Sequence, residues 1–155
     1  MKDRNSGARM RTRVPDIDDS IAQVVETCKA AVYAKDVDAF MQLYDSSTRV
    51  FDTWGVWSYE GAEAWRSAVE GWLTSLGEER VRVTFDDLKA IVTSDLSAVS
   101  AIVTYASVSA QGDQLRSMQN RLSWVLRNTG HVPRIVHEHT SAPAGFEDMK
   151  VILSR

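Results

Sequence analysis

The spacing of apolar residues divides the chain into a helical first part and a strand-rich second part. In the first predicted helix, which Asp16 or Asp18 can cap and which runs to about Ala34, apolar residues recur three and four positions apart: Ile17, Ile21, Val24, Val25, Cys28, Ala31 and Val32. Asp36 can cap a shorter helix over residues 37–44, and a short strand is predicted over 49–53. Gly61 opens a third helix, whose apolar stripe comprises Ala62, Trp65, Val69, Trp72, Leu73 and Leu76.

After Gly77 the apolar pattern alternates, as it does in β-strands. Four long strands are predicted over residues 80–92, 98–109, 115–127 and 134–141. Turn residues separate these strands at 94–95, 111–113 and 128–130. Long strands joined in order by short turns form an antiparallel meander. The predicted fold class is therefore α+β, with the helices covering one face of a curled antiparallel sheet that encloses an apolar pocket.

The composition indicates one folded domain with a short tail. The chain has 155 residues, of which 44% are hydrophobic and 25% charged, which is typical of a globular domain. We assign that domain to residues 16–155. Residues 1–15 have almost no apolar side chains and predict a disordered basic tail, with Lys2, Arg4, Arg9, Arg11 and Arg13.

Charge and cysteine content argue against several classes of function. The formal net charge of -3 gives no general electrostatic reason to bind nucleic acid. No apolar run approaches the ~18 residues that a membrane span needs. Cys28 is the one cysteine, so no intramolecular disulfide can form, which fits a reducing, cytoplasmic location. The sequence contains no glycine-rich phosphate loop and no cysteine cluster, so no cofactor is predicted.

Four segments, AKDVDAFMQLYDSSTRVFD, YEGAEAWRSAVEGW, NRLSWVLRNTG and RIVHEHTSAP, carry a resemblance that extends over about residues 17–143. Together they resemble the nuclear transport factor 2-like superfamily, and within it the SnoaL-like and ketosteroid-isomerase-like domains. The last segment also resembles the end of the association domain of calcium/calmodulin-dependent kinases. The resemblance implies a cone-shaped fold with a deep pocket that commonly dimerises through the outer face of its sheet. It does not imply one function, because this superfamily includes isomerases, cyclases, dehydratases, epoxide hydrolases, binding proteins and assembly modules.

Asp52, in the segment VFDTWG, is the first candidate for chemistry. It stands where the isomerase-like and cyclase-like members resemble one another in having an aspartate that shuttles a proton. Between Trp54 and Trp57 a carboxylate would be partly desolvated, which suits a group that accepts a proton. Alternatively, Asp52 hydrogen-bonds the backbone of the loop that follows the strand.

His137 and His139 lie two positions apart on the last predicted strand, so both side chains share one face with Ile135 and Ser141, and Glu138 takes the other face. If that face is the concave one, the two imidazoles and the hydroxyl line the pocket. The pair could then position a ligand, serve a structural role, or ligate a metal ion. A metal site needs a third ligand, and no cysteine or further histidine is placed to supply it, so no metal is predicted.

Arg121, on the preceding strand, is the third candidate. An inward-facing arginine must find an acid, because a buried unpaired charge is costly. That acid could be Asp52, Glu138 or the carboxylate of a ligand, which a guanidinium grips with two hydrogen bonds. The alternatives are an internal ion pair or a position at a dimer interface.

The aromatic residues divide into expected core and expected ligand contacts. Trp65 and Trp72 lie seven positions apart on the third helix and are expected in the core. Trp54 and Trp57 fall in a loop, where they can hold a planar or hydrophobic ligand. The hydroxyl group of Tyr33 can add a polar contact to that ligand.

One departure from the steroid isomerases affects the predicted reaction. Those enzymes resemble one another in pairing the base with a tyrosine and an aspartic acid, and the matching positions here fall near Cys28 and near Arg121 or Leu122. Steroid isomerisation in that form is therefore not expected.

These residues predict a small-molecule pocket protein, and they leave open whether it is an enzyme. In the enzyme hypothesis, Asp52 is the general base, and Arg121 and His139 steady the developing oxyanion of a small hydrophobic carbonyl compound. Isomerase, cyclase or dehydratase chemistry would fit. In the alternative, the protein is a non-catalytic binder of a small hydrophobic or acidic ligand, or a homo-oligomeric association module. A homodimer is expected in each case.

Overall fold

The structure is a computed structural model that describes residues 18–130 and 132–155. The predicted tail over residues 1–15 lies outside the described residues. The elements follow in the order α1 (Asp19–Ala34), α2 (Val37–Met41), β1 (Tyr44–Phe51), β2 (Tyr59–Glu60), α3 (Ala62–Ser75), β3 (Arg80–Val92), β4 (Leu96–Val108), β5 (Gln114–Arg127) and β6 (Arg134–Ser141). The predicted α+β fold class is confirmed.

Local capping fixes the start and the end of α1. The Asp18 side chain accepts a hydrogen bond of 2.9 Å from the backbone N–H of Ser20, as an N-cap residue does. Lys35 adopts a left-handed conformation with φ of 56°, and its N–H bonds back to carbonyls of the last turn. Asp36 then caps α2 through Ala39. The helices therefore begin where the sequence predicts them.

The second helix ends three residues earlier than predicted, because the chain there joins the sheet. Tyr44 pairs with Ile135 of β6, and the Leu43 carbonyl accepts a hydrogen bond of 2.8 Å from the Ile135 N–H. These long-range bonds satisfy the backbone in place of a further helical turn. As a result β1 begins at Tyr44, five residues before the predicted strand.

The six strands form one sheet in the order β2-β1-β6-β5-β4-β3. Strands β3 to β6 form the predicted antiparallel meander. The sheet as a whole is mixed rather than antiparallel, because β1 pairs with β6 in parallel. The two strands can run parallel because α3 and β3–β5 intervene between them in the sequence.

A bulge between β5 and β6 determines which side chains face the helices. Trp124 pairs with Glu138, and Leu126 pairs with Ile135, so Val136 is the extra residue. Ile135 and Glu138 consequently both point to the concave face, where Trp124 and Leu126 are buried. The prediction that Ile135 shares a face with the histidines is wrong, because the bulge breaks the alternation.

The core lies between the concave face of the sheet and the three helices. Its fully buried side chains include Ile21 and Val24 of α1, Val69 of α3, and Trp124 and Leu126 of β5. No helix of the described chain is both long and apolar enough to cross a membrane.

Candidate functional site

A cavity of about 630 Å³ lies between the concave face of the sheet and the helices. Volumes of this order are typical of small-molecule sites. Aromatic side chains dominate its wall: Phe40, Tyr44, Trp54, Tyr59, Trp65, Trp72, Phe85, Tyr105 and Trp124. Trp54 is 47% exposed, so the cavity reaches solvent beside it. The pocket expected from the sequence is therefore present.

Glu138 is a buried carboxylate in the wall of this cavity. Its Oε2 atom accepts hydrogen bonds of 2.6 Å from the Tyr44 hydroxyl and of 2.7 Å from Trp124 Nε1. Its Oε1 atom accepts no hydrogen bond from the described residues and is not sealed off within the protein. One oxygen is thus fixed by two donors, and the other is open to a molecule in the cavity.

The surroundings of Glu138 favour its protonated form. Burial of the carboxylate, with 5% of the residue exposed, raises its pKa to about 7. The hydrogen bonds from Tyr44 and Trp124 oppose this shift, and the nearby charge of Asp52 adds to it. A carboxyl group with a pKa near 7 can both take up and release a proton at neutral pH.

Asp52 lies at the end of β1 and lines the same cavity. Its Oδ1 atom accepts a hydrogen bond of 2.8 Å from the Thr140 hydroxyl, which in turn accepts one of 2.9 Å from the Thr53 N–H. The Trp54 N–H approaches its Oδ2 atom at 3.4 Å. Asp52 therefore helps to organise the loop after β1, and it also places a second carboxylate near Glu138.

Three further polar groups in the wall stay uncharged near neutral pH. Burial raises the pKa of Tyr44 and that of Tyr105 well above the usual range for tyrosine. Burial also raises the pKa of the Cys28 thiol. Near neutral pH these residues offer hydroxyl and thiol groups rather than negative charge. The acidic groups of the cavity wall are therefore the carboxyl groups of Glu138 and Asp52.

The predicted histidine pair faces away from the cavity. His137 and His139 both pack edge-on against the ring of Phe51, on the convex side of the sheet. The Nδ1 atom of His137 lies 2.8 Å from the Arg49 carbonyl oxygen. The condition under which His137, His139 and Ser141 would line the pocket is therefore not met, because Trp124 and Glu138 occupy the inward positions of the paired strands.

Arg121 and Ser141 also lie on the convex face. They pair across β5 and β6, and Arg121 Nε donates a hydrogen bond of 3.1 Å to Ser141 Oγ. Arg121 is exposed, whereas Asn120 and Leu122 on either side of it are buried and line the cavity. Arg121 thus cannot hold an acidic ligand inside this cavity, and the placement predicted for it is wrong.

The predicted aromatic contacts separate into two surfaces. Trp54 lines the cavity, and it also lines a second, shallow groove on the convex side with Trp57 and His139. Trp57 does not line the cavity and is 98% exposed. Tyr33 lies on the outer surface of α1, where the guanidinium of Arg80 stacks 5.5 Å from its ring centre.

Sequence reasoning missed Glu138 as a cavity residue, together with its donors Tyr44 and Trp124. The signal was present in β5, whose apolar positions Leu122, Trp124 and Leu126 mark the buried face. A residue paired with Trp124 must point the same way, and that residue is Glu138. Among the described residues no group of three His, Cys, Asp or Glu side chains is arranged to hold a metal ion.

Solved structures with the same fold come from several bacteria. A nuclear transport factor 2-like protein of unknown function from Pseudomonas putida is 20% identical, with a TM-score of 0.77 over 88% of this chain and 94% of that chain. A nuclear transport factor 2-like superfamily protein from Salmonella enterica is 18% identical, with a TM-score of 0.67 over 86% and 96%. A candidate calcium/calmodulin dependent protein kinase II association domain from Xanthomonas campestris is 17% identical, with a TM-score of 0.67 over 79% and 85%.

At these identities the similarity extends to the fold and not to an activity. No curated protein matches the chain significantly. The sequence profile of the SnoaL-like domain matches residues 21–145, which is most of the chain. This protein therefore belongs to the SnoaL-like domain family, and it has the nuclear transport factor 2-like fold.

Proposed function

We propose that the protein binds a small, largely apolar compound in the concave cavity and that Glu138 transfers a proton to or from it. The observation that carries this proposal is a buried carboxyl group with one oxygen held by Tyr44 and Trp124 and the other open to the cavity. A fixed carboxylate in an apolar site meets a reacting C–H bond or a carbonyl oxygen without competing water. Isomerase, cyclase and dehydratase reactions all begin with such a transfer.

In this proposal Asp52 assists Glu138. The negative charge of Asp52 raises the pKa of Glu138, which makes the carboxylate a stronger base. The hydrogen bond from Thr140 keeps that charge in place. Asp52 also remains a candidate for direct proton transfer, because it lines the same cavity.

A generic carbon acid tests the proposal without knowledge of the natural substrate. In 5-nitrobenzisoxazole a base removes the proton from C3, the N–O bond breaks, and the proton moves to the base while a coloured cyanophenolate forms. We expect kcat/KM for this reaction to rise with pH through a midpoint near 7, because kcat/KM follows the ionisation of Glu138 in the free protein. The midpoint should move to lower pH in Asp52→Asn, because the charge that raises the Glu138 pKa is gone.

The matched control is Asp113→Asn, which removes a carboxylate from an exposed hairpin and should leave the midpoint unchanged. Binding of the probe is followed separately by quenching of tryptophan fluorescence. A probe that binds in the cavity but reacts no faster than with free acetate would contradict proton transfer by this protein.

We also propose that the protein forms a homodimer through the convex face of its sheet. Between residues 98 and 102 of β4 and residues 121 and 125 of β5, the convex positions carry one charged side chain, Arg121, among small and apolar residues: Ala98, Ser100, Ile102, Ser123 and Val125. A patch with so little charge suits contact with a second copy of itself. The exposed Trp57 lies at the same side of the sheet.

Sedimentation equilibrium tests this assembly. We expect twice the 17.3 kDa chain mass at micromolar concentration, and a shift towards the monomer in Arg121→Glu, because each interface would then bury two unpaired acids. Gln23→Glu, which also introduces a carboxylate but on the exposed side of α1, should not shift the mass. A wild-type protein that stays monomeric at tens of micromolar would refute the dimer.

A further inference from the structure

The charges that line the cavity are unbalanced. Glu138 and Asp52 contribute two carboxyl groups, and Arg116 is the one lysine, arginine or histidine that the described part of the chain contributes to the lining. Arg116 is already held by Glu79, with Nη1–Oε1 and Nη2–Oε2 distances of 3.2 and 2.7 Å. Its positive charge is therefore neutralised at the rim and does not balance the acids inside.

The walls around Glu138 present aromatic rings. Tyr44 and Trp124, which donate hydrogen bonds to the carboxylate, each pack against a second aromatic ring. The ring centres of Tyr44 and Phe40 are 5.3 Å apart, and those of Trp124 and Phe85 are 5.4 Å apart. The ring centre of Trp65 lies 6.3 Å from that of Tyr44. Faces of aromatic rings attract cations, and together with a carboxylate they form the cages that recognise substituted ammonium groups. An anionic ligand would meet the two acids of this cavity and would be repelled by them.

We propose that the cavity selects ligands that carry a substituted ammonium group on an apolar body, and that it rejects carboxylates and phosphates. The ammonium group lies against the open oxygen of Glu138, with the rings of Tyr44 and Trp124 beside it. This inference rests on the proposed function, because it names the class of ligand for the same cavity. It replaces the acidic ligand predicted from Arg121 and the histidines, which lie on the convex face.

Such a ligand makes binding depend on pH. A cation favours the ionised carboxylate, so affinity rises as the pH passes through the Glu138 pKa of about 7. The titratable groups near Glu138 come from three elements and from the segment after β1: Cys28 of α1, Tyr44 of β1, Tyr105 of β4, and Asp52 directly after β1. Burial keeps the thiol and both phenols protonated in this range, which leaves Glu138 to respond.

A pair of isosteric probes tests the charge preference. (4-Hydroxybenzyl)trimethylammonium and 4-neopentylphenol have the same shape and differ in charge, and their affinities are measured by calorimetry at pH 8 and pH 5.5. We expect the ammonium probe to bind at least about tenfold more tightly at pH 8, in line with a cation–π and ion-pair contact in a desolvated site. The preference should shrink at pH 5.5, where Glu138 is protonated, and 4-hydroxyphenylacetate should not bind.

Two variants separate this proposal from its alternatives. Glu138→Gln should remove the preference for the ammonium probe, and Asp52→Asn should reduce it while the shape of the site is kept. Glu147→Gln, in the exposed C-terminal segment, is the control and should bind as the wild type does. Equal or tighter binding of 4-neopentylphenol at pH 8, or a preference that persists in both variants, overturns the proposal.

The outcome is independent of the proton-transfer test, because 5-nitrobenzisoxazole is neutral. If the protein converts 5-nitrobenzisoxazole but does not prefer the ammonium probe, only the proposal about the ligand class is overturned. If it prefers the ammonium probe but does not convert 5-nitrobenzisoxazole, only the proposal about proton transfer is overturned.

Discussion

Replacing Glu138 by glutamine is expected to lower kcat/KM for 5-nitrobenzisoxazole by about 10²- to 10⁴-fold, the usual contribution of a positioned general base. Glutamine has nearly the same shape, and its carbonyl oxygen can still accept the hydrogen bonds from Tyr44 and Trp124. It cannot take up the proton that leaves C3. The loss should therefore fall on the chemical step, and the pH dependence near 7 should disappear with it.

Control measurements make this result decisive. Circular dichroism and thermal melting establish that Glu138→Gln is folded, and fluorescence quenching establishes that it still binds the probe. Asp52→Asn is measured beside it under the same conditions. If Glu138→Gln keeps most of the rate and Asp52→Asn loses it, Asp52 is the base, as the sequence resemblance implied, and the assignment to Glu138 is wrong.

Elements whose limits depend on local signals were predicted well from the sequence. The bounds of β3 and β6, 80–92 and 134–141, coincide with the prediction, because alternation and turn residues define them. The boundary between α2 and β1 was wrong, because it depends on the pairing of Tyr44 with Ile135, some ninety residues away. Pairing with a distant strand overrides local helical preference, and no short window of sequence contains that information.

The site was predicted less well than the fold, for a geometrical reason. Alternation correctly grouped His137 with His139 and set Glu138 on the opposite face, but alternation alone does not say which face is concave. The apolar run of β5 contained that information, since Trp124 pairs with Glu138. Polar chemistry was expected of the histidines because they share one strand face, whereas here burial raises the pKa of a glutamate on the other face to about 7.

The stability of the protein should fall as the pH rises from 5 to 8, and Glu138 should be responsible for about 3 kcal/mol of that fall. The folded-state pKa of about 7 lies above the value of 4.5 that is usual for a glutamate in an unfolded chain. Between these values the folded protein holds a proton that the unfolded chain has released, so each pH unit costs the native state about 1.4 kcal/mol. The stabilisation is complete below pH 4.5 and is lost as the pH rises through 7.

Urea unfolding at pH 5 and pH 8 measures this effect in wild type and in Glu138→Gln. The variant has no carboxyl group at this position, so the difference between its two free energies of unfolding should be smaller than that of the wild type by about 3 kcal/mol. Groups with a lowered pKa, such as Asp45 and Glu79, lose their contribution only at lower pH and are common to both proteins. Glu147→Gln should behave as the wild type does. If wild type and Glu138→Gln change in parallel between pH 5 and pH 8, Glu138 titrates as an ordinary glutamate, and the buried base that underlies both the proton transfer and the ammonium preference does not exist.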